Sequence, residues 1–180
     1  MGFLLDLKNA AIEAASILRN SADSTNDRKE KRGIKLEVQM VAETYHVLRK
    51  RGYDPYNLLL EFHYGSGRNN IFYPDMIYRM REGEPEIPVE FKSISSLPIK
   101  NEGSLSKASK NALSEGFEQL LEYVSIDEFD IKNACLVVAY LGTEEGPDSG
   151  LFTKLAKEFL GKSNGSDLRK KGIPIEVIAC

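Results

Sequence analysis

Hydrophobic positions recur at helical spacing in the first part of the chain and give way to shorter, strand-like runs further on. Phe3, Leu7, Ala10, Ala14 and Ile17 fall on one face of a helix over 3–20, because side chains three and four apart stack over one another in an α-helix. That face either packs on its own domain or serves as a dimer or partner surface. The polar run NSADSTNDRKEKRG, 20–33, predicts a linker or solvated turn. Ile34, Val38, Val41, Tyr45 and Leu48 place a second amphipathic helix over 34–51, closed by Gly52 and the turn Tyr53-Asp54-Pro55.

Three strands follow, over 58–64, 71–80 and 87–93, with turn signals GSGRNN at 65–70 and REGEPE at 81–86 between them. A Ser-rich loop, 94–105, leads into a third helix over 106–125 whose apolar side carries Leu113, Phe117, Leu120 and Val124. The continuous apolar run at 134–141 predicts a strand buried on both faces. The Gly-rich loop GTEEGPDSG, a short helix near 150–160, a basic loop GKSNGSDLRKKG and the strand IPIEVIA complete the chain. Strands close in sequence form antiparallel hairpins, and strands separated by helices pair in parallel. The expected class is α/β: one mixed central sheet flanked by helices, in the order αβββαβ plus a C-terminal helix and strand. Residues 1–32 form a helix and polar linker, and 33–180 form the main domain.

Length and composition narrow this picture. A chain of 180 residues fits one domain, and a hydrophobic fraction of 42% supplies a core for it. The net charge of -3 argues against a protein that coats nucleic acid, yet leaves room for an enzyme with local basic patches. Cys135 and Cys180 make neither a metal-ligand spacing nor a disulfide framework, so a reducing cytoplasm is expected. The N-terminal stretch lacks a basic leader, and Asp6, Lys8 and Glu13 interrupt its apolar run, so it does not resemble a signal peptide. Asp6 also stands where a myristoylation signal wants Ser or Thr. No run approaches the ~18 apolar residues of a membrane span, and no membrane partner is expected.

The candidate chemistry lies in YPDMIYRMREGEPEIPVEFK, 73–92. Strand side chains alternate faces, so Glu90 and Lys92 share one face while Val89 and Phe91 take the other. Folding about the 81–86 turn puts Met80 near Ile87 and Asp75 near Lys92, within a residue or two of register. Two carboxylates and an ammonium then converge. Carboxylates are hard ligands for Mg²⁺, and a metal beside a phosphate polarises it and acidifies a bound water. A lysine there orients the water or stabilises developing negative charge. A solvated hairpin face accounts for the same residue types. Pro74 speaks against that alternative, since proline removes a ladder donor from a strand.

Pro74-Asp75 followed by Glu90-Phe91-Lys92 resembles the PD-(D/E)XK nuclease superfamily, which includes restriction endonucleases, Holliday-junction resolvases and RecB-type exonucleases. GIKLEVQMVAETYHVLRKRGY, 33–53, resembles that family's leading helix, with Gly33, Glu37, Val41, Leu48 and Gly52-Tyr53 in place. Glu37 lies about 60° from the centre of the predicted apolar face, while Glu43 lies opposite. Gln119-Leu120-Leu121-Glu122-Tyr123 matches the Q-h-x-x-Y pattern of the RecB-like branch, and the resemblance spans 33–141. It implies a restriction endonuclease-like core. It further implies a Mg²⁺ ion, replaceable by Mn²⁺, held by Asp75, Glu90 and the Phe91 backbone carbonyl, with Glu37 assisting. Lys92 would position or activate the attacking water, Gln119 and Tyr123 would line the substrate groove, and products would carry 5′-phosphates. DNA is favoured over RNA as the nucleic-acid partner, and a homodimer would suit cutting both strands. An RNA-cleaving toxin-like nuclease, and a non-catalytic nucleic-acid-binding or assembly module on the same fold, remain alternatives.

Other residues carry weaker signals. Glu61 and His63 share a face of the first strand and serve either as an added ligand and proton carrier or as exposed strand residues. His46 is expected on the helix surface. Lys100, Lys107 and Lys110 are candidates for phosphate contacts, and Arg169, Lys170 and Lys171 read as a solvated cluster. GTEEGPDSG lacks the Gly-Lys-Ser/Thr ending of a phosphate-binding loop. No Ser/His/Asp arrangement is evident, and two histidines argue against a zinc hydrolase.

Overall fold

The structure is a computed structural model and describes residues 2–22, 32–60, 74–79, 86–100, 103–125, 130–142, 144–163, 169–170 and 172–180. Helices α1 (Phe3–Ala22) and α2 (Arg32–Lys50) precede strands β1 (Leu58–Leu60), β2 (Met76–Arg79) and β3 (Glu86–Ile94). Then come α3 (Lys107–Val124), β4 (Ala134–Tyr140), α4 (Ser149–Ser163), β5 (Arg169–Lys170) and β6 (Ile173–Ala179). The class is α/β, as the hydrophobic pattern predicts. Within the basic run at 161–172, expected to be a loop, Arg169–Lys170 pairs as a short strand.

The strands form one mixed sheet in the order β1-β2-β3-β4-β6-β5. β1, β2 and β3 make an antiparallel meander, β3, β4 and β6 are parallel, and β5 returns antiparallel to β6. The parallel pairs are those joined through a crossover helix, α3 between β3 and β4 and α4 between β4 and β6, as chain geometry requires.

Both faces of the sheet are covered, which explains the unbroken apolar sequence of β4. Val89, Phe91, Cys135, Val137 and Ala139 pack with α1 and α2. Ile94, Leu136, Val138 and Tyr140 pack with α3 and α4. The inner face of α1 is small-residue rich: Phe3, Leu7, Ala10, Ala11, Ala14 and Ala15 are buried. That apolar face is used inside the chain, in the same core as α2 and the sheet, which is the first of the two readings of α1. Phe3 stacks on Tyr78 with ring centroids 3.9 Å apart, and Tyr53 donates to Asp6 at 2.6 Å, fastening α1 to the antiparallel side.

The predicted apolar face of α2 is rotated from the true one. Val38 is 63% exposed, whereas Met40, Thr44, Val47 and Leu48 are buried. Thr44 is the cause: a fully buried polar residue in the middle of the stripe hides it from a hydrophobicity pattern. The correction moves Glu37 towards the buried side of the helix, since it stacks one turn from Met40 and two from Thr44.

The β2–β3 register differs by two residues from the hairpin expected. Tyr78, and not Met80, is opposite Ile87, with Met76 opposite Val89. A shift of two keeps every side chain on its face, so the alternation survives. The turn signals at 65–70 and 81–85, the linker at 23–31, and Glu61, His63 and Lys171 lie outside the described residues. Among the described residues no helix is long and apolar enough to cross a membrane.

Candidate active site

β3 carries the centre of the site. Glu90 and Lys92 project together towards α3, and both are buried, at 5% and 7% exposure. Charged groups are tolerated at such depth only when paired. Lys92 Nζ donates to Glu90 Oε1 at 2.8 Å and to Glu37 Oε1 at 3.4 Å, so α2 and β3 meet at this ammonium.

Asp75 precedes β2 by one residue, and the β2–β3 register, extended by one, sets it opposite Glu90. Its Oδ2 accepts the Phe91 N–H at 2.7 Å. The carboxylate takes up a β3 donor at the point where the chain turns out of the ladder at the buried Pro74. A strand residue directs its N–H and C=O to the same edge, so the Phe91 carbonyl also faces the Asp75 side. Phe91's ring lies on the opposite face, fully buried against the helix pair.

α3 is capped by Ser106, whose Oγ accepts the Ser109 N–H at 3.2 Å in an ordinary N-cap. The helix then runs back along β3. At Gly116 it comes so close that a Cβ would lie 2.9 Å from Lys92 Cγ and 2.6 Å from Leu136 Cδ1. Two turns later Tyr123 donates to Glu86 Oε2 at 3.3 Å, at the other end of β3. Glu86 also pairs with Arg79. Gln119 lies between these two contacts along α3, and its Oε1 is buried with no hydrogen-bond partner among the described residues.

The electrostatics follow from one ammonium facing three carboxylates. Burial pushes the Glu90 carboxyl up to about 8, the Asp75 charge adds to the rise, and Lys92 offsets only part of it. Burial likewise raises Glu37, with Lys92 opposing and Asp75 and Glu115 adding. Burial alone would depress Lys92, but Glu90, Glu37 and Asp75 together outweigh it and hold the amine above its usual range. Lys92 stays charged, and its single charge is shared too widely to compensate the carboxylates.

Beyond Lys92 the site opens into a cleft of about 440 Å³ between the end of β3, the loop after it and the first turns of α3. Glu37, Lys92, Ser95, Ser96, Asn111 and Glu115 are among its lining residues. Asp75, Glu90, Lys92 and Glu37 are thus brought together, but Gln119 and Tyr123, expected to line the substrate groove, are not among the residues lining the cleft, and Tyr123 is buried beside Glu86. The predicted phosphate lysines are placed differently: Lys100, Lys107 and Lys110 are exposed, and none lines the cleft. Lys110 falls away from the Ala108–Asn111–Ala112–Glu115 side of α3, because a step of one or two residues turns a helix by 100° or 200°. His46 is exposed, as expected.

Sequence reading missed Ser95, Ser96, Asn111, Glu115 and the Glu86 anchor. A signal for two of them was present: Asn111, Glu115, Gln119 and Tyr123 recur every four residues, a polar row on one side of α3. Among the described residues, no three His, Cys, Asp or Glu side chains are gathered closely enough to hold a metal ion. The carboxylates are drawn instead to Lys92 and to the Phe91 amide. No protein-family model, no curated protein and no solved structure matches the chain.

Proposed function

We propose that this chain is a metal-dependent nuclease of the PD-(D/E)XK type that hydrolyses phosphodiester bonds, in DNA in preference to RNA. The observation that carries the reading is the buried Lys92, held between Glu90 and Glu37 at the floor of an open cleft, with Asp75 bonded to the residue between Glu90 and Lys92. Buried ion pairs are a costly way to stabilise a sheet, and perturbed ionisable groups that face a cleft point to a functional site.

The donor chemistry fits a hard divalent cation. Asp75, Glu90 and the Phe91 carbonyl offer oxygen ligands, and a cation there would replace the proton that burial favours on Glu90. Mg²⁺ keeps several waters, so two carboxylates suffice, and Mn²⁺ has the same ligand preference. When bound, the ion supplies Lewis acidity at the phosphoryl oxygen and acidifies a water. Glu37 reaches the site from α2 and holds Lys92 or an adjacent water. Lys92 donates from Nζ to the attacking water or to a phosphoryl oxygen, where a fixed positive charge stabilises the transition state. The close approach of Gly116 packs α3 on the stem of Lys92, so the ammonium is positioned before substrate arrives. Tyr123, through Glu86, pins α3 over the strand, and Gln119 presents its amide there.

The test offers the purified protein supercoiled plasmid, linear duplex, single strands and RNA, with Mg²⁺ or with EDTA. Wild type cleaves DNA only with the metal, and Asp75→Ala and Lys92→Ala do not. Equal cleavage by the variants, or none by wild type on any substrate, refutes the proposal.

A further inference from the structure

The part of the cleft beyond Lys92 is lined in a way that phosphates do not favour. Ser95, Ser96, Ala108, Asn111, Ala112 and Glu115 form its walls, with Ile94 below. Among the described lining residues Lys92 is the only cation, and it is already shared between Glu90 and Glu37. A groove that tracks a nucleic-acid backbone needs Lys and Arg along it, and Glu115 would repel a phosphate. The same lining suits a nucleobase. Ile94, Ala108 and Ala112 offer apolar surface to a flat ring. Asn111 carries the amide that pairs in two places with an adenine edge, and the Glu115 carboxylate accepts from an exocyclic amine such as that of cytosine. The volume of about 440 Å³ falls in the range of pockets that hold one small molecule, ~300–1,000 Å³.

We infer that this region is a subsite for one unpaired nucleoside next to the scissile phosphate, and that the substrate class is single-stranded DNA. The inference rests on the nuclease reading for the phosphate's place at Lys92. A paired base hides its Watson–Crick edge and is stacked on both sides, so a pocket of this size admits a base only from an unpaired strand or one taken out of the stack. Single-strand selection would then come from the pocket itself, and the acidic net charge of the chain would limit binding to duplex backbone.

The experiment measures binding separately from cleavage. Fluorescence anisotropy with a labelled 12-mer single strand and with the same sequence as duplex is run on wild type in EDTA, where nothing is cut. The single strand binds at least about tenfold more tightly, the scale of one well-made base-edge contact. Asn111→Leu removes about that factor for the single strand and leaves duplex binding as it was. Ala112→Trp, which fills the cleft from its rim, does the same. Asn111 is exposed and Ala112 half-buried at the cleft wall, and thermal melts confirm that both variants fold. Equal affinity for the two DNAs, or unchanged single-strand binding in both variants, overturns the subsite. The nuclease reading stands or falls apart from this, on whether Lys92→Ala abolishes Mg²⁺-dependent cleavage.

Discussion

Replacing Gly116 by Ala sets two effects of known sign against each other. Gly116 lies inside α3 with an ordinary helical backbone, since positive φ is confined to Gly52, Gly103 and Gly172 among the described glycines. In a free helix the substitution stabilises by about 0.8–1.0 kcal/mol, because Ala loses less backbone entropy than Gly. Here the new methyl would lie 2.6 Å from Leu136 Cδ1 and 2.9 Å from Lys92 Cγ. Carbon atoms in good contact are about 3.5–4.0 Å apart, so both neighbours are too close by roughly 1 Å.

Neither neighbour yields easily. Leu136 is fully buried in the strand that is covered on both faces, and Lys92 is tied at its far end to Glu90 and Glu37. Overpacking of this kind costs about 1–3 kcal/mol. The expected net effect is a loss of about 0–2 kcal/mol, or up to roughly 8 °C in melting temperature for a chain of this size. Urea titration gives the free energy, and Mg²⁺-dependent cleavage of single-stranded DNA measured alongside falls as Lys92 is displaced. A Gly116→Ala protein that is more stable than wild type by the propensity gain, and cuts as fast, would refute the packing of α3 on Lys92.

Three further outcomes follow from the same geometry. In EDTA, the Glu90 carboxyl titrates near 8 in the fold against an ordinary 4.5, so the folded protein holds that proton more tightly. Stability from this group is full below pH 4.5 and is lost as pH rises to about 8, on the order of a few kcal/mol; Glu90→Gln flattens this fall, and melts at pH 5 and pH 8 that drop as steeply in the variant would count against the buried site. Mg²⁺ stabilises wild type but not Asp75→Ala, by up to about 2.7 kcal/mol when the ion is at a hundred times its dissociation constant, and the rise in melting temperature by scanning calorimetry checks it. Leu7→Ala, at a fully buried position of α1, costs about 2–5 kcal/mol in urea if the first helix belongs to the core, whereas an appended helix would lose almost nothing.

What was legible in the sequence follows the range of the physics involved. Periodicity located four helices and the main strands because burial imposes it locally. It misplaced the face of α2 because Thr44 is buried without being apolar, and only tertiary packing reveals that. Alternation put Glu90 and Lys92 on one face, since the rule is local to β3. The hairpin register was off by two because a turn signal does not fix how many residues the turn consumes. Lys100, Lys107 and Lys110 were chosen for charge and nearness in sequence, whereas Asn111 and Glu115 reach the cleft through the pitch of α3. The burial of Lys92 depends on a glycine in a helix many residues away, and no window along the chain contains both.

The position of the site follows from unequal strand lengths. β3 runs for 9 residues, but β2 pairs with it only from Met76 to Arg79, against Val89 to Glu86. On its other side β3 continues in parallel with β4 as far as Ile94. The stretch from Glu90 to Ile94 is therefore held along one edge by β4, while the β2 ladder has ended at the other. At that step Asp75 supplies a side-chain acceptor for Phe91. Lys92 fills the space towards α3, and Glu37 closes in from α2. An antiparallel pair that stops early beside a parallel pair that continues leaves backbone polar groups and an open wall at one point in the sheet. The carboxylates, the lysine and the cleft all lie at that point because that is where the two halves of the sheet part.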